Sequence, residues 1–369
     1  MSGMNLTARR SRRWPAPHQV RFVALSAGWL IAVMLLLLLH VQPGKAAASP
    51  QEVVSQKVWD AAPSNAFTDL IWYHDRWLLV FREGTSHTSM DGTLRVLASS
   101  DGDSWQSVAS LAMPSADLRD PKLSITPGDN LMLNAAQRTG SPAQYTSLYW
   151  TSQDGSTWSS PTTVGVPNLW LWSVTWHSST AYSVAYRTTP PYFTSLYTGN
   201  PEQEIDFTAT ISPLLTNDYV NETTLVFVKN GDALALTRRD PVAPFTSNLA
   251  LVGSSASPYT AWSWRETNLR VGGPEMLHLA DGRIVVGARL YTPTVHTGLL
   301  WLDPDAATLT EFASVPSGGD TGYPGLVHRN GRLWVSYYSS HEGKSSIYFG
   351  SVEMPLNPGN RVFLPMITQ

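Results

Sequence analysis

Six apolar strand–turn–strand units recur along the chain at a nearly constant interval, and this repeat limits the possible folds more than any other feature. They read "TDLIWYHDRWLLVFR" (68–82), "DPKLSITPGDNLMLNAA" (120–136), "WSVTWHSSTAYSVAYR" (172–187), "ETTLVFVKNGDALALTR" (222–238), "GPEMLHLADGRIVVGAR" (273–289) and "YPGLVHRNGRLWVSYY" (323–338). Aligned on their turns at Asp75, Asp129, Thr180, Gly231, Gly282 and Gly331, they are spaced by 54, 51, 51, 51 and 49 residues. Such a period marks a repeat architecture. Further β-rich runs ("TLRVLAS", "SLYWTS", "LLWLD", "SSIYFGS") lie between the hairpins, so each unit holds about four short strands. Six such units close into a ring that leaves only short, protected sheet edges. No amphipathic helical period competes. The expected fold is all-β: a six-bladed β-propeller of four-stranded blades over residues 49–355.

The first 48 residues differ from the rest. A basic stretch, "ARRSRRW", precedes the apolar run "FVALSAGWLIAVMLLLLLHV" (22–41), and "KAAASP" follows. This pattern reads as an export signal cleaved near Ala48, or as an uncleaved membrane anchor, because the run is long enough to span a bilayer. Residues 1–48 hold six of the 25 Lys and Arg and no acid, which leaves 19 bases against 28 acids, a net charge of about −9. An acidic surface argues against a nucleic-acid partner. The absence of cysteine excludes disulfides and thiolate chemistry. The expected location is secreted or cell-surface, with membrane attachment through 22–41 as the alternative. Residues 356–369 form a tail that reads as a last strand or an export tag. The sequon "NET" (221–223) falls at a buried strand start.

Two turns repeat the pattern Ser-x-Asp-Gly-x-x-Trp: Ser99, Asp101, Gly102, Trp105 and Ser152, Asp154, Gly155, Trp158. Each is expected between the third and fourth strands of its blade. The hairpin alignment also places polar residues in register. Seven residues after the six aligned turn positions stand Arg82, Ala136, Arg187, Arg238, Arg289 and Tyr338. Several arginines at one level fit an anionic ligand, because guanidinium grips carboxylates bidentately; exposed strand-end arginines paired with local acids are the plainer alternative. At the start of the inner strands, which crowd round the axis, come Asp120, Glu222 and Tyr323. Trp170, Trp172, Trp176, Trp262 and Trp264 could stack on sugars or fill the wedges between blades. No His pair has metal spacing, and neither a metal nor a cofactor is expected.

With "VFREG" (80–84), "DLRDPKLSITP" (117–127), "GGP" (272–274), "PSGGDTGYPGLV" (316–327) and "VSYYSSHEGKSSIY" (335–348), the chain resembles bacterial sialidase-like propellers over residues 53–353, and the two turns resemble a shortened Asp-box. The resemblance implies removal of a terminal anionic sugar, sialic acid or a related nonulosonic acid, from a glycan. By that resemblance Tyr323 is the nucleophile, Glu222 takes its proton, Arg238 and Arg289 hold the carboxylate, and Asp91 has the position of the acid/base. Arg82 is expected to stand in as the third arginine from another direction, and Asp120, whose sialidase counterpart is not the general acid, is the other candidate to protonate the leaving oxygen. Asp320, His341 and Glu342, further polar residues of these stretches, are expected around the same mouth. The chain departs from sialidases at "NAFTDL" (65–70), which lacks the arginine that usually opens blade 1. Two other functions stay open: a non-catalytic glycan-binding propeller, and a glycosidase or lyase for another acidic polysaccharide acting through carboxylates such as Glu222 and Asp120.

Overall fold

The computed structural model describes residues 50–354, apart from 204, 217 and 218. The expected export segment 1–48 and the tail 356–369 lie outside the described residues. Six antiparallel sheets form the blades of a β-propeller: residues 64–111, 117–164, 169–216, 219–266, 271–314 and 321–353. The first strand of each blade packs on the first strands of its neighbours, so these strands line the axis. Alternating apolar residues fill the wedges, as with Leu78, Val80, Leu94 and Val96 of blade 1 against Leu118, Leu131 and Leu133 of blade 2.

The ring is closed by the N-terminal part of the described chain. Strand Val54–Trp59 is the outermost strand of blade 6 and runs antiparallel to Ser346–Glu353. The last blade therefore joins strands from both ends of the ring, and its outer edge is paired rather than bare. Gln51–Glu52 adds a short parallel pairing to the outer strand of blade 5.

Every inner strand carries one extra residue at the same level. The register passes from Ala66↔Arg82 to Asp69↔Val80 in blade 1, and from Gly322↔Tyr338 to Gly325↔Ser336 in blade 6. Blades 2, 4 and 5 repeat the three-against-two count at Arg119/Lys122, Val220/Thr223 and Gly272/Glu275. Blade 3 has the extra residue in the break between Leu171 and Thr175. Such bulges interrupt the ladder and re-aim a side chain. Here they aim Phe67, Asp120, Glu222 and Tyr323 at one cavity. Phe67, Asp120 and Tyr323 have φ of 60°, 47° and 52°, a left-handed backbone that costs about 1–3 kcal/mol for each non-glycine residue and persists where the surroundings impose it. Proline follows three bulge residues, at Pro121, Pro274 and Pro324, where the broken ladder needs no N–H donor.

The two Asp-Gly turns share one set of hydrogen bonds. Asp101 Oδ1 accepts from the amides of Asp103 and Ser104, and Asp154 Oδ1 from those of Ser156 and Thr157. The indoles of Trp105 and Trp158 donate back to the carbonyls of Gly102 and Gly155. Blade 4 repeats this closure without the aspartate: Trp262 donates to the carbonyl of Tyr259, whose φ is 64°.

A Cβ at Gly350 would lie 2.5 Å from the carbonyl oxygen of Val54 and 2.8 Å from Cα of Ser55. Gly350→Val should therefore force the closing strand away. Overpacking of this kind costs about 1–3 kcal/mol, so a fall in Tm of about 3–10 °C is expected in a thermal melt. An unchanged Tm would mean that the closing strand does not hold the ring.

Candidate active site

The bulges of blades 4, 5 and 6 build one hydrogen-bonded group. Tyr323 Oη donates to Glu222 Oε1 at 2.6 Å. Arg238 Nη1 reaches the same oxygen at 2.9 Å and Tyr323 Oη at 3.1 Å. The other oxygen, Oε2, accepts the backbone N–H of Gly273 at 2.6 Å. All three partners of Glu222 are donors, so it acts as an acceptor. Gly273 is required here: its φ is 54°, and a Cβ would stand 2.5 Å from Cγ of Tyr323. The Tyr323 ring thus rests directly on backbone, with Phe67 at 5.0 Å and Trp172 at 5.8 Å on its flanks. Thr68 Oγ1 donates to the Tyr323 carbonyl at 2.9 Å and ties the first bulge to the last. Burial pushes the Tyr323 phenol well above its ordinary value; the Glu222 charge adds to this, and Arg238 and Arg289 oppose it.

A cavity of about 290 Å³ opens over this group, with Phe67, His87, Asp120, Trp170, Tyr186, Glu222 and Tyr323 in its wall. Asp120 is buried, and its Oδ1 has no hydrogen-bond partner. Burial pushes its carboxyl up to about 7; Arg119 opposes the rise and Glu222 adds to it. A carboxyl in this state can hold a proton near neutrality and release it within the cavity. Beneath it the ammonium of Lys122 meets Glu275 at 3.1 Å and sits 5.7 Å from the Trp172 ring. Among the described residues no three His, Cys, Asp or Glu side chains gather as a metal would need.

The other expected residues divide into those near this group and those away from it. Arg289 stands 5.3 Å from the Tyr323 ring centre, and its Nη2 donates to Asp320 at 2.8 Å and to Tyr338 Oη at 2.6 Å. Burial alone would raise the Asp320 carboxyl, yet His87, with Nδ1 2.8 Å from Oδ2, and the charge of Arg289 hold it below the carboxylate range. Arg238 and Arg289 both approach Tyr323, and each already has an acid partner. Asp240 lies 2.9 Å from Arg238 Nε, an ion pair whose N–H is poorly aligned for a hydrogen bond, and also 3.1 Å from Arg270.

Arg82 corrects the expectation that it holds substrate. It is fully buried, its Nε donates to Asp117 at 2.6 Å, and its Nη atoms donate to the carbonyls of Ser86 and Ser89. The hairpin end that looked like a ligand arm is a buried brace for the following loop. Asp91 corrects the expectation of an acid/base there. It is exposed, absent from the cavity wall, and held down to about 2 by Ser89 and Thr85, so it carries no proton to donate at neutral pH. His341 and Glu342 also lie away from the cavity wall. His341 Nδ1 bonds Ser339 and its ring packs near Tyr348, while Glu342 pairs with Lys57 at 3.0 Å. Arg187 donates to the carbonyl of Thr189. Of the tryptophans, Trp170 lines the cavity, Trp172 is fully buried against Tyr323, Trp176 bonds Ser124, and Trp262 and Trp264 stack on one another. Asn221 of the sequon is buried and bonded to Asp240.

The hairpin register missed His87, Arg119 and Arg138. Arg119 adjoins Asp120 in "DLRDPKL", and Arg138 stands two beyond the aligned Ala136; an alignment that allowed for the bulge and its loop partner was the signal available.

No protein-family model and no curated protein matches the chain by sequence. Solved structures match its fold. A Dyadobacter fermentans protein of unknown function is 18% identical with a TM-score of 0.68, covering 82% of this chain and 99% of that one. A Penicillium chrysogenum α-L-arabinanase complexed with arabinobiose is 12% identical with a TM-score of 0.63, covering 82% and 99%. Trypanosoma rangeli sialidase is 11% identical with a TM-score of 0.62, covering 79% of this chain and 55% of that one. At these identities the likeness is one of fold.

Because the folded Asp120 carboxyl is raised to about 7 from an ordinary 3.8, the native state holds a proton there that the unfolded chain releases. Its contribution to stability is full below about pH 4 and is lost as pH rises through 7. Asp120→Asn should therefore raise Tm relative to the parent chain more at pH 8 than at pH 5. An equal shift at both pH values would contradict the raised carboxyl.

Proposed function

We propose that the chain is an exported glycoside hydrolase that removes one terminal anionic sugar through the cavity over Tyr323. The observation that carries this reading is the 2.6 Å bond from Tyr323 Oη to Glu222 Oε1, held by a bulge with φ of 52° and bridged by Arg238. A phenol alone is a weak nucleophile and needs an adjacent base. As Tyr323 Oη attacks the anomeric carbon, its proton passes to Glu222. Asp120 gives its proton to the departing glycosidic oxygen, which leaves as an alcohol. In the second step Asp120 takes a proton from water, the water oxygen displaces Tyr323 from the anomeric carbon, and Glu222 returns the proton to the phenolate. The cavity volume suits one sugar ring, which favours attack on chain ends. Export rests on the apolar run at 22–41 and its basic flank, which also fits membrane attachment.

A second reading has its own support. Arg238 and Arg289 already face Glu222, Asp240 and Asp320, and Glu222 accepts three hydrogen bonds. On this reading Glu222 attacks directly, Tyr323 only orients it, and Asp120 is the acid, the two-carboxylate arrangement of most glycosidases.

Hydrolysis of aryl glycosides separates the two by the size of the effect. With Tyr323 as nucleophile, Tyr323→Phe should lower kcat by about 10³-fold or more while substrate binding persists. A loss of only about tenfold in Tyr323→Phe, with Glu222→Gln inactive, would instead establish the two-carboxylate reading.

A further inference from the structure

Three arginines surround a single carboxylate beside the cavity, between blades 1 and 2. Asp117 is fully buried; it accepts from Arg82 Nε at 2.6 Å and Arg119 Nη1 at 3.0 Å, with Arg138 Nη1 at 4.0 Å. The same guanidinium groups grip four consecutive carbonyls of the loop after the second strand of blade 1. Arg82 takes those of Ser86 and Ser89, Arg119 that of His87 and Arg138 that of Thr88. This cluster sets three positive charges against one negative. Around Tyr323 the count is even: Arg238, Arg270 and Arg289 face Glu222, Asp240 and Asp320.

The excess charge is accessible from the cavity. Arg119 and Arg138 are in its wall, whereas Arg82 is not. Among the described residues both use only Nη1 for hydrogen bonds, and Arg138 Nε is buried with no partner. Arg119 stands 5.0 Å from the Phe67 ring, and Phe67 in turn packs on Tyr323 at 5.0 Å between ring centres, so Phe67 lies between the Arg119 guanidinium and the Tyr323 ring in this chain of contacts. Besides Asp117, the carboxylate whose charge acts on Arg119 is Asp120. When it holds the proton the reaction needs, it offsets none of this charge.

We propose that Arg119 and Arg138 form the anion-binding subsite of the cavity, and that the sugar's acidic group lies there rather than at the carbon Tyr323 attacks. This rests on reading the cavity as a glycoside site. The substrate then carries its carboxylate or sulfate ester away from the anomeric carbon, as a uronic acid or a sulfated hexose does. A carboxylate on the anomeric carbon would meet Arg238 and Arg289, whose charges are already matched.

The test is NMR titration of the full chain with methyl glycosides of glucuronic acid, of its uncharged methyl ester, of galactose, of galactose sulfated on its primary hydroxyl, and of N-acetylneuraminic acid. Two charge-assisted hydrogen bonds should favour the uronic acid over its ester, or the sulfated over the plain galactose, by about tenfold or more; whichever pair responds identifies the acidic group. Arg138→Gln removes one of the two charges, and its shorter side chain also gives up the Nη1 bond to the Thr88 carbonyl; it should cut the preference several-fold, while galactose binding in the same titration reports whether the loop keeps its place. The comparison of acid with ester needs no variant, so it decides the matter even where Arg138→Gln is unstable. Equal binding of acid and ester together with equal binding of both galactosides, a preference undiminished in Arg138→Gln, or selective binding of N-acetylneuraminic acid would overturn the subsite. Acid-selective binding without hydrolysis would leave the subsite standing and overturn only the catalytic reading.

Discussion

The single extra residue in each inner strand is the constraint on which the site depends. A regular strand alternates its side chains between the two faces of the blade and would bury Tyr323, Glu222 and Asp120 in the wedges between sheets. The bulge breaks this alternation at one level in all six blades. Residues about 50 apart in sequence then share one cavity. The left-handed backbone at Phe67, Asp120 and Tyr323 is strain held by the ring, through contacts such as Thr68 to the Tyr323 carbonyl. Closure by Val54–Trp59 therefore bears on the site as well as on the outer edge of blade 6.

Charge divides the site into two parts with different tasks. The side built by blades 4, 5 and 6 is internally matched, so Arg238 polarises the Tyr323–Glu222 pair and stays tied to it. The side built by blades 1 and 2 carries surplus positive charge and a loop held carbonyl by carbonyl. Between them sits Asp120, with Arg119 on one side and Glu222 on the other. An anion bound by Arg119 would weaken the influence of that arginine and favour the protonated acid. Substrate binding and proton supply are then coupled through one neighbour.

Much of this was legible in the sequence. The hairpin spacing specified six blades, and the strand starts picked out Asp120, Glu222 and Tyr323, because a repeat exposes equivalent positions without any need for side-chain detail. The roles of the arginines were not legible. Arg82 and Arg238 occupy the same aligned position, yet Arg82 turns inward to Asp117 while Arg238 reaches Tyr323, since the difference lies in which acids the neighbouring blades present. Asp91 had the right loop and the wrong direction: its oxygens cap Thr85. Arg138 was hidden because its place is set by the loop it holds rather than by the strand register. His341 and Glu342 sit past the end of their strand, where the two-residue alternation no longer says which way a side chain points.

Covalent trapping tests the role of Tyr323 most directly. The chain would be treated with activated fluoro-glycosides of glucuronic acid and of N-acetylneuraminic acid, digested, and the sugar-bearing peptide identified by mass spectrometry. A sugar attached to Tyr323 is the expected result. Attachment to Glu222 would contradict the phenol as nucleophile, and a chain that hydrolyses neither glycoside and retains no sugar would contradict hydrolysis of a carboxylated sugar at this cavity.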